Sequence, residues 1–212
     1  MKTRGIYFKN KQYLLSVFFA LVLLGASMVV NYYAGMYATE RASNSVTDIV
    51  LDNIPVFNLG GIFVYGAVLF WIFVGLLCAW RPHVLPFTLK SIALFTLIRS
   101  VFITLTHIGP FPTQAVITSD LLGKFTFGAD LFFSGHTGLP FLMALIFWRT
   151  PILRFIFAMS SLLFGAVVLM AHLHYSIDVL SAFFITYTIF QIAEFLFKED
   201  RKLFYVSLKD LI

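Results

Sequence analysis

Runs of predominantly apolar residues recur along the chain, near 13–37, 59–80, 88–108, 131–149, 152–173 and 177–197. Each is close to the ~20 residues that a helix needs to cross hydrocarbon. A bilayer interior gives backbone N–H and C=O groups no water to bond, so such runs must close their hydrogen bonds internally, as helices. The pattern predicts an all-α integral membrane bundle of six transmembrane helices, forming a single domain over 1–212. Composition agrees, because 60% hydrophobic and 12% charged residues leave too few charges for an ordinary soluble surface.

Orientation follows from the cations, since Lys and Arg in short loops resist translocation. With both termini in the cytoplasm, Lys2, Arg4, Lys9, Lys11, Arg81, Lys90, Arg149, Arg154, Lys198, Arg201, Lys202 and Lys209 face inward, and only Arg41 and Lys124 face outward. Arg99 falls within a helix. The net charge of +5 is thereby explained by topology and anionic lipid, and no basic and aromatic interleaving points to nucleic acid. The basic start and "GAS" raise a cleaved signal peptide, but the apolar run continues through "MVVNYYAGMYA", longer than a signal core, so a retained anchor is expected. Cys78 is the single cysteine and Asn-x-Ser/Thr is absent, which favours a bacterial inner membrane.

Two outer loops are longer than connections require. In the first, Val46, Ile49, Val50 and Phe57, with Asp48 and Asp52 four apart, predict a short interfacial helix. In the second, prolines after Gly109 stop the third helix. The tail after Lys198 reads as an amphipathic cytoplasmic end, with Glu194 four residues before Lys198 as a surface pair.

On this topology, four of the five histidines gather at the outer surface: His107 ending helix three, His136 inside the start of helix four, and His172 and His174 ending helix five. Between Asp52 and Glu194 the acidic residues are Asp120, Asp130 and Asp178, all on that side. Ionisable groups near hydrocarbon are costly and mark functional sites, so an outward polar pocket is expected at the ends of helices three to six. In "HLHYSIDV", His174 and Asp178 are four apart, which sets the carboxylate against one imidazole nitrogen and frees the other. This is the logic of an oriented base or nucleophile, and His136 is the natural proton donor to a leaving oxygen. In "SGHTG", Ser134 and Gly135 would offer free N–H groups to a phosphate. Arg99, His107 and Tyr175 complete the candidate substrate-binding residues, Arg99 either reaching the phosphate or pairing with a carboxylate. A metal site built from His172, His174, His136 and Asp178 is the competing chemistry; helical register would point the imidazoles of His172 and His174 apart, so neither a metal nor another cofactor is expected. A lipid transporter or scaffold is the non-catalytic alternative, but transporters cluster polar groups at midplane rather than at one face.

"GADLFFSGHT" and "HYSIDVLSAFFIT" together resemble the paired C-terminal motifs of the sphingomyelin synthase family, a branch of the type 2 phosphatidic-acid phosphatase superfamily. "RSVFITLTHIGPFP" is similar to that family's motif at the end of the third helix, and "LDNIPVF" to its earlier loop motif. The resemblance implies that His174 attacks phosphorus to form a phosphohistidine, Asp178 orients it, His136 protonates the departing alcohol, and Asp130 helps to hold the protonation state. It implies a membrane phospholipid donor, and ceramide, diacylglycerol or water as acceptor. The phosphatase members of the superfamily, acting on lipid phosphate monoesters, resemble one another in a Lys seven residues before Arg-Pro and a Ser-Arg ahead of the second His. Here Arg81-Pro82 is present, Val74 stands at the Lys position, Val167 and Val168 at the Ser-Arg positions, and Phe133 replaces the proline before "SGH". Fewer cations suit a phosphodiester, which carries less charge than a monoester. No Asp or Glu lies between Asp52 and Asp120, where the synthases resemble one another in an acidic residue, and this leaves hydrolysis open beside transfer.

Overall fold

The computed structural model describes residues 7, 9–115 and 131–205. Within them lie α1 (Lys11–Glu40), α2 (Gly60–Trp80), α3 (Leu85–Leu105), α4 (Gly135–Ile146), α5 (Pro151–Met170), α6 (Ser176–Leu196) and α7 (Lys198–Tyr205), with no strand among the described residues. Five of these helices are long and apolar enough to cross a membrane; α4 is apolar but has only 12 residues.

Helix α1 lies along α3, and α4 packs between α5 and α6. The buried face of α1 is a narrow seam in which Tyr13, Ala20, Ser27 and Ala34 recur every seven residues, with Gly35 and Ala38 beside the last. A seven-residue repeat keeps one stripe against a partner helix, and small side chains let backbones approach where lipid supplies no hydrophobic drive. The rest of α1 presents Leu14, Leu15, Phe18, Phe19 and Leu21 outward, as a lipid-facing helix should. The phenylalanines divide between this outer surface and a core in which Phe87, Phe95, Phe133, Phe147 and Phe157 are fully buried.

Contacts between loops define two ends of the bundle. At one, Phe57 N–H donates to Met170 O (2.8 Å), Ala115 N–H to Ala171 O (3.0 Å), and Ser43 N–H to His107 O (2.7 Å). At the other, Tyr13 OH donates to Pro82 O (2.9 Å), Lys90 pairs with Asp200 (2.6 Å), and Ser16 Oγ donates to the same carboxylate (2.5 Å). Arg201 ties α7 to this second end: it donates to Glu194 (2.8 Å) and to Ile146 O (2.9 Å) and stacks on Phe87, Phe190, Phe204 and Tyr205. Glu194 therefore pairs with the buried Arg201 and not with Lys198, because α6 ends at Leu196 and the turn into α7 brings Arg201 back over it. A largely apolar crevice of about 500 Å³ between α1, α2 and α3 opens near this second end, lined by Tyr13, Trp71, Cys78 and Leu85 among others, with neither His136 nor His174 in its lining.

Two further expectations from sequence change. The interfacial helix in the first loop reduces to one 3₁₀ turn, Leu51–Asn53, because the Asp48 carboxylate takes the Val50 and Leu51 N–H groups and so caps a turn rather than continuing one. The fourth apolar run is helical only over its middle: Ser134 caps the helix start and a turn over 147–150 precedes Pro151. Pro140, inside α4, has no N–H for the His136 carbonyl, and Ser161 Oγ from α5 donates to the next carbonyl, Thr137 O, at 2.7 Å.

Candidate active site

The connection between α5 and α6 fixes His174. After Met170 the chain reverses through His172, which stands at φ 53°, a left-handed conformation that glycine usually fills. Leu173 N–H donates to Val168 O (2.8 Å) and His172 N–H to Leu169 O (2.9 Å), the paired bonds of a Schellman ending, and Leu173 packs in one apolar cluster with Val168. Both histidines therefore lie beyond helix five, the helix being ended by this reversal. Their rings separate: His172 Nδ1 lies 2.5 Å from Thr113 Oγ1, with Phe111 edge-on at 5.3 Å, while His174 turns to α6.

At the start of α6, Asp178 does two things with one oxygen. Its Oδ2 accepts the Tyr175 N–H (2.9 Å), closing the first turn, and stands 3.4 Å from His174 Nδ1. A carboxylate only accepts, so Nδ1 is the donor in this contact and Nε2 is the nitrogen that Asp178 leaves unengaged. Asp178 is 1% exposed, and its Oδ1 has no partner among the described residues.

His136 enters from α4. Ser134 caps that helix, accepting from Thr137 N–H (3.3 Å) and Thr137 Oγ1 (3.1 Å), and Ser134 N–H donates to Asp178 O (3.2 Å). That last bond joins the two histidine motifs directly, although His136 and His174 are 38 residues apart in the chain. The His136 ring stacks on Phe63 of α2 (3.9 Å between centroids, 26°) with Phe164 of α5 edge-on at 6.0 Å, so two helices hold its plane. His174 and Arg99 are near enough to act on this ring electrostatically.

Arg99 reaches the same place from α3. It is 8% exposed, its Nε donates to Phe133 O (2.8 Å), and a Cβ on Gly135 would stand 3.3 Å from that Nε. The guanidinium thus lies across the N-terminus of α4, and cation and helix dipole together favour an anion there.

The structure brings Ser134, Gly135, His136, Arg99, His174 and Asp178 together. Ser134 is fully buried and committed to capping, so what it offers is its place in the backbone. Tyr175 is 1% exposed and its hydroxyl spans two loops, donating to Gly109 O (2.8 Å) and accepting from Val46 N–H (3.2 Å). Burial raises the pKa of this phenol, with nearby Asp178 and Asp48 acting the same way against the Val46 N–H. His107 follows the end of α3 and stacks edge-on with Tyr37 of α1 at 5.5 Å. Asp130 lies outside the described residues. Among those residues, no three His, Cys, Asp or Glu side chains converge as metal ligands.

Sequence reasoning missed Phe63 as the platform under His136, and Asp48. Asp48 is 7% exposed and its Oδ2 accepts the Ser176 N–H at 2.6 Å across 128 residues of chain. Burial alone would raise its pKa, but the Ser176, Leu51 and Val50 N–H groups outweigh this and hold it below the ordinary value. The four-residue spacing of Asp48 and Asp52 was the available signal, but a helical period was the wrong template for it.

Residues 128–195, from just before α4 to the end of α6, match the family model described as PAP2 superfamily C-terminal. No curated protein and no solved structure matches the chain. The match covers less than half the chain but holds His136, His174 and Asp178, and it supports an enzyme of the lipid phosphatase or phosphotransferase type.

Proposed function

We propose that the protein is a membrane lipid phosphotransferase or phosphohydrolase acting on a headgroup-bearing phospholipid, in the manner of the sphingomyelin synthases, through a phosphohistidine at His174. The observation that carries this reading is the bond from Ser134 N–H to Asp178 O, which sets an oriented imidazole and a second histidine at one anion-favouring helix start.

In the first step His174 Nε2 attacks phosphorus, the ester P–O bond breaks, and His136 protonates the departing alcohol oxygen. The N–P bond leaves His174 cationic, and Asp178 stabilises that charge through Nδ1–H. Arg99 and the α4 N–H groups face the phosphoryl oxygens, where phosphoryl transfer needs electrostatic support most. In the second step the acceptor, water or a lipid hydroxyl such as that of ceramide or diacylglycerol, loses its proton to His136 as its oxygen displaces His174. The absence of the monoester phosphatases' cations at Val74 and Val168 favours a diester. The cation asymmetry of the loops favours cytoplasmic termini and a site on the opposite face of a bacterial inner membrane.

The test is turnover of headgroup-labelled phospholipids by the purified protein in vesicles, with and without ceramide or diacylglycerol. Release of the headgroup phosphate or its transfer to the added alcohol is expected, with loss in H174A and H136A. Wild-type turnover in both variants would refute the mechanism. Chelator sensitivity would refute a metal-free one, and turnover confined to lipid phosphate monoesters would move the assignment to the phosphatases.

A further inference from the structure

We infer that Asp48, in the loop between α1 and α2, is a positioning residue for the His174–Asp178 pair: it sets where the first turn of α6 stands. The inference rests on reading His174 as the nucleophile.

Two neighbouring amides begin α6, and a different carboxylate holds each. Asp178, from the helix itself, takes the Tyr175 N–H at 2.9 Å; Asp48, from a distant loop, takes the Ser176 N–H at 2.6 Å. The first bond is local and moves with the helix, so it cannot locate α6 against the rest of the molecule. The second does. Asp48 is itself fixed, since its Oδ1 accepts from Val50 (2.9 Å) and Leu51 (3.2 Å), its N–H donates to Asp52 Oδ2 (3.1 Å), and its carbonyl accepts from Asp52 N–H (2.8 Å). Two residues earlier, Val46 N–H donates to the Tyr175 hydroxyl, so the loop grips the segment after His174 at two points.

The Ser134 N–H bond to Asp178 O holds this turn from the α4 side, and the Asp48 bond holds it from the loop between α1 and α2. The separation of His174 and Asp178, 3.4 Å, is at the long edge of a hydrogen bond, so a small shift of the α6 start breaks it. The Asp48 carboxylate gives the loop leverage on a helix start that bears Asp178. The negative charge suits that place, because it meets the positive end of the α6 dipole.

The test uses the full chain in vesicles, comparing wild type with D48A, D48N and I49A. Ile49 is 83% exposed in the same loop and serves as the control. In D48A, kcat falls on the order of ten- to a hundred-fold with KM unchanged, the scale of a misplaced reacting group. D48N, which keeps one neutral acceptor, recovers part of the loss, and I49A matches wild type. Hydrogen exchange read by mass spectrometry gives faster exchange in D48A for a peptide spanning 173–180, and no change around α7. Unchanged kcat in D48A overturns the inference, as does a loss in KM alone or faster exchange throughout the chain. An active wild type with inactive H174A and fully active D48A removes this inference alone; a wild type inert toward every phosphate ester removes the proposed function and this inference with it.

Discussion

Replacing Asp178 with Asn separates the two things its carboxylate does. An Asn oxygen still accepts the Tyr175 N–H, so the α6 start stays capped, but the charge facing His174 is gone. At 3.4 Å and an effective dielectric near 20, a full imidazolium–carboxylate attraction is about 5 kcal/mol. The whole of it would be lost only if His174 were fully cationic in the transition state. With roughly half the charge developed the loss is about 2.5 kcal/mol, so kcat should fall between about 10²- and 10⁴-fold. The 3.4 Å contact shortens when charge develops, as catalytic hydrogen bonds commonly do on substrate binding, which places the expected effect toward the upper half of that range. The assay is initial-rate turnover of a headgroup-labelled phospholipid in vesicles, beside thermal unfolding of the same preparation. Retention of more than about a tenth of wild-type kcat by D178N, with unfolding unchanged, would mean the carboxylate does not serve His174.

Four further outcomes follow from the geometry. A Cβ at Gly138 would stand 2.7 Å from Phe95 and 2.8 Å from Thr186 Oγ1, so G138A should cost about 1–3 kcal/mol and lower the unfolding temperature, whereas G25A, with open space at its Cβ, should not. R201A removes the donor to Ile146 O and Glu194 and should release α7, costing about 1–3 kcal/mol and exposing the tail to protease. F63A removes the stacked platform of His136 and should lower kcat more than it lowers the unfolding temperature, read by the same two assays. Because Asp48 has a folded pKa below its ordinary 3.8, its contribution to stability is present above that value and is lost as pH falls through the depressed one; D48N should flatten the acid limb of stability against pH below about 4.

The parts legible in the sequence were those that depend on neighbours in the chain. Apolar run length located five of the long helices to within a few residues, and the four-residue spacing of His174 and Asp178 already implied their contact. What escaped depends on partners far away or on single backbone states. Asp48 bonds an amide 128 residues on, and nothing near it in the chain announces that. His172 occupies a left-handed position without being glycine, so the end of α5 carried no turn signal. Hydropathy over 131–149 could not show that Ser134 caps the helix four residues into the apolar run, because a cap is a hydrogen bond and not a composition. A continuous helical period pairs Glu194 with Lys198, and the break at Phe197 gives the place to Arg201 instead.

The brevity of α4 has a physical consequence at the scale of the bilayer. Its 12 residues span about 18 Å, against a hydrocarbon slab of about 30 Å, so the helix that carries His136 cannot reach from one interface to the other. The remaining ~12 Å must be met by the turns that flank the helix or by local thinning of the membrane around it. Turnover should then depend on the acyl length of the surrounding lipid, faster in thin vesicles than in thick ones at equal substrate, which would make membrane thickness a control on this enzyme.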